Sequence, residues 1–132
     1  MDLNNLDLEQ LIVNGDKTFG PHDWSHEIKK QIIDFVDQID GIYVVGCTTI
    51  VKIFLRNGRI HEAMAFKESR SDSYGIAYDQ ARNGSFIRAL YDTFLFFKEF
   101  RDNLFSLTEQ KLKRLANQEC TACLTNSDTS FA

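Results

Sequence analysis

Three cations crowd the stretch GCTTIVKIFLRNGRIHE, residues 46–62: Lys52, Arg56 and Arg59, with no carboxylate before Glu62. Phe54 and His61 lie among them. Cations interleaved with rings suit single-stranded nucleic acid, because the charges meet phosphates and the rings offer faces on which bases stack. The bland use of such charge is to protect an edge hairpin against aggregation. If Asn57 and Gly58 are the two central residues of a type I′ turn, Arg56 sits opposite Arg59 and every cross-strand pair has the same numerical sum. One face then carries Val51, Ile53 and Leu55 against Ile60, Glu62 and Met64, mostly apolar with Glu62 its anomaly. The other carries Ile50, Lys52, Phe54 and Arg56 against Arg59, His61, Ala63 and Ala65, a basic face with Phe54 beside His61. Directly opposed like charges cost from a few tenths to about 1 kcal/mol, a penalty that a phosphate-bearing partner would reverse.

Other pairings that could do chemistry carry less. His22 and His26 are four apart with Asp23 and Glu27 beside them, a metal-ligand spacing on a helix. In a strand His26 instead shares a face with Trp24 and Ile28, which makes it a structural or hydrogen-bonding histidine. Cys120 and Cys123 form a C-x-x-C pair with no second pair and no nearby histidine, so a coincidence of the tail is preferred over zinc or redox chemistry. The expected register puts Cys47 and His61 on opposite faces, against a Cys-His nucleophile. There is no P-loop, no dinucleotide-binding glycine motif and no G-x-S-x-G. No cofactor, no metal and no bond-breaking activity are expected.

These residues must be positioned by a chain of 132 residues, 43% hydrophobic and 26% charged, a size for one core. Residues 1–116 are expected to form that domain and residues 117–132, polar and rich in Thr and Ser, a disordered tail. A net charge of −4 gives no global field for polyanions, so any nucleic-acid contact falls to a local patch. No apolar run reaches the roughly 18 residues of a membrane span. The acidic N-terminus does not read as a signal peptide, and three cysteines do not make a disulfide framework, so an intracellular, reducing setting is expected.

Leu8, Leu11, Ile12 and Phe19 predict a short helix ending near Gly15 or Gly20. Trp24 to Val36 reads as a strand, Asp40-Gly41 as a tight turn, and Tyr43 to Leu55 as a strongly β-branched second strand. A third strand follows from Arg59 to about Phe66. Ile87, Leu90, Tyr91, Phe94, Phe97 and Arg101 predict a long amphipathic helix entered as early as Tyr74, and Ser106 to Glu109 a capping box before a further short helix. The fold class is α+β: a three-stranded antiparallel sheet, a β-β-β-α core, packed on a long helix with short flanking helices. Phe96 and Phe100 fall outside the helix's apolar stripe and predict a protein interface, with a homo-oligomer expected.

FGPHDWSHEI and the run IIDFVDQIDGIYVVGCTTIVKIFLRNGRIHE resemble the core of the Rad52 family of recombination mediators. The resemblance rests on Phe19-Gly20, Trp24 and His26, Phe35-Val36-Asp37, Val45-Gly46, the Asn57-Gly58 turn and His61-Glu62, in order and without a gap, and it covers about Leu11 to Phe97. It implies a β-β-β-α fold assembled into rings, with a positively charged groove that binds and anneals single-stranded DNA. It further implies a nuclear protein of homologous recombination and double-strand break repair that works with other recombination proteins. Departures temper this. Met1 lies too close to Phe19 for the basic and aromatic segment that precedes the motif in the family, and the recombinase-recruiting half is missing. The helix offers Arg82 and Arg88 where the family has a dense basic cluster, with Asp92 intervening. Lys52, Phe54, Arg56, Arg59, His61 and Arg82 are therefore the expected DNA contacts, with weak or avidity-dependent binding. The alternative is a reduced member that serves as an oligomeric adaptor for a repair protein.

Overall fold

The computed structural model describes residues 7–104. These form α1 (Leu8–Phe19), β1 (Trp24–Ile39), β2 (Ile42–Leu55), β3 (Ile60–Ser71) and α2 (Tyr74–Phe94). The strands make one antiparallel sheet in the order β1-β2-β3, and α2 crosses one side of it over β2 and β3, barely touching β1. This is the α+β arrangement the sequence predicts. The predicted capping box at Ser106, the polar tail and the Cys120/Cys123 pair lie outside the described residues. None of the described helices is long and apolar enough to cross a membrane.

The elements begin and end for local reasons. Asp7 caps α1 by accepting the Glu9 amide at 3.0 Å, and Gly20 stops the helix at a φ of 97°. The β1–β2 turn puts Asp40 and Gly41 at φ 53° and 81°, two successive positive values that suit a type I′ turn. Ser73 caps α2 by accepting the Ile76 amide, and that helix runs unbroken through Gly84.

The second hairpin differs from expectation by one residue. The Leu55 carbonyl accepts from Gly58 at 2.9 Å and the Leu55 amide donates to Arg59 at 2.8 Å, so the loop is Arg56-Asn57-Gly58. Gly58 alone takes a positive φ, 92°, while the Asn57 side chain accepts the Arg59 amide. That is a three-residue turn with a glycine bulge. Phe54 now faces Ile60, Ile53 faces His61 and Lys52 faces Glu62; Arg56 is not opposed to Arg59.

A one-residue slip exchanges the faces of a whole strand, and burial explains which register wins. In the expected register Glu62 would sit beneath α2, where a carboxylate loses its water, and Ala65 would face out. In the observed one Ala65 is buried and Glu62 is exposed, bonded to Lys29 at 3.1 Å. Buried Val51, Ile53 and Leu55 remain on the α2 side and pack with Leu11, Leu90, Phe94 and Phe97. A polar bridge, Thr49 Oγ1 to Ser85 Oγ at 2.7 Å, joins β2 to α2 with both residues fully buried.

The long predicted helix ends earlier than expected. After Phe94 the amides of Phe96 and Phe97 bond three residues back, to Thr93 and Phe94, and a separate short helix occupies residues 98–104. This tightened turn folds Phe100 back onto Phe94, rings parallel at 4.5 Å. Phe100 is 1% exposed. It therefore belongs to the core, which corrects its assignment to a protein interface; Phe96 stays on the surface.

Candidate nucleic-acid interface

The slip divides the expected binding face. Lys52 and Phe54 lie on the sheet face that none of the described helices covers, with the Lys52 ammonium 5.2 Å from the Phe54 ring centre. Lys52 is not an isolated cation there, because its cross-strand neighbours are Glu27 on β1 and Glu62 on β3. The same face carries Ile32, Phe35, Ile50, Met64 and Phe66, with Phe35 laid over Gly46 and 6.2 Å from Phe66. An exposed apolar cluster of that kind crossed by a row of alternating charge is not the basic face the sequence predicts.

His61 turns to the opposite side, toward α2. Its imidazole stacks on Phe96 at 5.3 Å and meets the edge of Phe97 at 4.8 Å. The Arg59 guanidinium lies 5.3 Å from the Phe97 ring and bonds Glu99 at 2.8 Å. Arg59, His61 and Phe96 thus converge around one buried ring at the β3 edge. Arg56 leaves the same turn in the other direction, toward Asp23 at 3.3 Å beside the start of β1, and is 81% exposed. There it rims a shallow recess with Phe19, Asp23, Leu55 and Asn57.

Arg82 stands apart from all of these. It projects from α2 toward β1, donating to Gln31 at 2.9 Å and lying 5.4 Å from the Tyr78 ring. Gln31 in turn bonds Thr49 and the Arg82 carbonyl, which ties this flank to the buried bridge. Arg88, the other helix cation, is taken up by Asp92 one turn on. Of the six expected DNA contacts the structure therefore brings together Arg59 and His61, pairs Lys52 with Phe54 elsewhere, and separates Arg56 and Arg82.

Histidine 26 occupies a different aromatic site, between Trp24 and Phe86 at 5.8 Å from each. Burial pulls its imidazole below the ordinary value of 6.5. Cys47 and His61 share the α2 side, contrary to the expected register. His61 is opposite Ile53, six residues along β2 from Cys47, so about 20 Å of strand separates them. Among the described residues no group of three or more His, Cys, Asp or Glu side chains is placed to hold a metal ion.

Sequence reasoning missed that Phe96 joins Arg59 and His61. Helical spacing set Phe96 with Phe100, and residues Leu95-Phe96-Phe97 contain no Gly or Pro to announce the break. The only usable signal was the excess of Phe itself.

A family model described as Rad52/22 family double-strand break repair protein matches residues 2–120. Curated relatives named DNA repair and recombination protein RAD52 are similar as well. That of Saccharomyces cerevisiae is 32% identical over 82 residues, covering 61% of this chain and 17% of the relative. That of Kluyveromyces lactis is 34% identical over 76 residues, covering 54% of this chain and 17% of the relative. That of Eremothecium gossypii is 31% identical over 71 residues, covering 54% and 15%. The chain thus spans less than a fifth of the length of the curated relatives it matches.

Proposed function

This chain belongs to the Rad52/22 family of double-strand break repair proteins, and from that premise we propose that it binds single-stranded DNA and aligns complementary strands during homologous recombination. One observation carries the reading. Arg56 and Arg59 flank Asn57-Gly58 at the second hairpin turn, and their ion pairs, to Asp23 and Glu99, are solvent-exposed. Exposed pairs of this kind contribute at most about 1 kcal/mol. Phosphates can replace them, and each replacement gains by counterion release. Aligning two strands requires a charged surface and no bond-making chemistry, so the protein acts without being an enzyme.

Two arginines and a partly neutralised Lys52 make a weak grip for one copy. A homo-oligomer multiplies such grips along one strand, and the β1 and β3 edges of the sheet, with the apolar cluster on the face away from the described helices, are the surfaces available for contact between copies. The nucleus is the compartment this reading implies, with other recombination proteins as partners.

The test is fluorescence anisotropy with labelled single-stranded DNA at several salt concentrations. Loss of one phosphate contact lowers the slope of log affinity against log salt by about 0.7 for single strands. Arg56→Ala with Arg59→Ala is expected to lower it by about 1.4, whereas Lys52→Ala, between two carboxylates, changes it little. Wild-type protein with no salt-sensitive binding would end the proposal.

A further inference from the structure

Phe96 is 52% exposed, as is Phe66 on the other side of the sheet, whereas its neighbours Phe94, Phe97 and Phe100 are buried. One face of its ring is occupied by His61 at 5.3 Å, the two planes only 22° apart. His61 is itself held by the edge of the buried Phe97, over which Arg59 lies. The ring is thus braced from behind, and among the described residues no other ring stacks on it. Its chain neighbours Lys98, Glu99, Arg101 and Asp102 are all exposed and charged.

We propose that Phe96 is a base-stacking position: an unpaired base of single-stranded nucleic acid lies on its open face while the adjoining phosphate meets Arg59. The proposal rests on the DNA-binding reading above and deepens it by naming a residue that reads bases rather than backbone. A protein anchor is the competing use of an exposed Phe. Such anchors sit within contiguous apolar patches, and this molecule has one elsewhere, around Ile50, Met64 and Phe66 on the opposite side of the sheet. Around Phe96 the surface is charged, and Arg59, lying over the Phe97 ring, has one exposed carboxylate partner among the described residues. A preorganised ring beside an exchangeable guanidinium is what stacking on a single strand requires.

The experiment compares two labelled ligands of equal length, an oligothymidylate and its abasic counterpart, on the full chain and on Phe96→Ala and Phe96→Trp. One stacked base is worth about 5- to 150-fold in affinity. Phe96→Ala is expected to weaken oligothymidylate binding by at least about fivefold, leave the abasic ligand and the salt slope unchanged, and be rescued by Phe96→Trp. Equal losses on both ligands would overturn the proposal, because the effect would then lie in the fold or the phosphate contacts. Unchanged binding with a smaller particle in light scattering would overturn it in favour of a contact between copies. If wild type binds oligothymidylate and Phe96→Ala binds it equally, stacking alone falls; if wild type binds neither ligand, the DNA-binding reading falls with it.

Discussion

Substituting Gly15 by alanine sets two effects of opposite sign against each other. In a helix interior alanine is normally better than glycine by about 0.5–1 kcal/mol, because the unfolded chain has less freedom to lose. Gly15 lies inside α1 and is buried, yet a Cβ there would stand 2.8 Å from Phe94 Cζ and 2.9 Å from Trp24 Cζ2. Neither ring has room to yield. Phe94 is fully buried, parallel to Phe100 at 4.5 Å and edge-on to Trp24 at 5.0 Å. Trp24 is fixed by its indole N–H to Asp16 at 2.8 Å. Overpacking of this sort costs about 1–3 kcal/mol, so it outweighs the helix gain and leaves Gly15→Ala destabilised by roughly 0.5–2 kcal/mol. For a domain of this size each kcal/mol is worth about 4–8 °C in Tm. Thermal unfolding followed by circular dichroism measures it directly. Gly75→Ala, where a Cβ would meet nothing within 4 Å, is the control and is expected to be neutral or stabilised. A Gly15→Ala protein as stable as wild type would refute the close seating of α1 on the aromatic core.

Two further perturbations concern His26 and Thr49. Because burial lowers the His26 pKa from 6.5, the unfolded chain takes up a proton first as pH falls, so the stability His26 contributes is complete above 6.5 and declines as pH drops toward the folded value. Melting temperature should fall between neutral pH and about 5, less so for His26→Phe, which keeps the stack on Trp24 and Phe86; identical pH slopes in the two proteins would contradict this. Thr49→Val removes a hydroxyl bonded to Gln31 and Ser85, but Ser85 keeps its bond to the Arg82 carbonyl. The cost in urea unfolding should be about 1 kcal/mol, and adding Ser85→Ala should cost less than the sum of the two single changes; strict additivity would argue against a shared bridge.

How much of this was legible in the sequence depended on how local each signal was. The strands, the Asp40-Gly41 turn and the start of α2 are specified by contiguous residues and stand where predicted, although β1 runs on to Ile39 past Val36 and β3 to Ser71 past Phe66. The hairpin at Asn57-Gly58 was right in place and wrong in type. Asn-Gly serves both a two-residue turn and the three-residue turn with a bulged glycine, and the choice is made by where Glu62 and Ala65 go, a tertiary matter. The end of α2 was similarly hidden, since the break after Phe94 coincides with the stacking of Phe100 on Phe94 and carries no breaker residue. Phe100 was misassigned for that reason, and Phe96 was paired with the wrong partner. The site residues were all on the page as types, but one residue of register decided that Phe54 and His61 would never share a face.

That division bears on how DNA could be held. Arg56 is drawn to Asp23 at the β1 side of the turn and Arg59 to Glu99 at the β3 side. The two guanidiniums therefore face opposite flanks of the sheet and not a common groove. On the proposed reading a single strand touching Arg59 and Phe96 on one copy leaves Arg56 of that copy pointing away, toward whatever adjoins the β1 edge. In a side-by-side assembly that edge is next to a neighbour's β3 edge, which would bring the Arg56 of one copy toward the Arg59 and Phe96 of the next. Each seam would then carry a phosphate grip from both copies and a stacking ring from one. Affinity would then be a property of the seam, and on that reading a chain of net charge −4 with so few cations would hold a strand by many weak contacts at once.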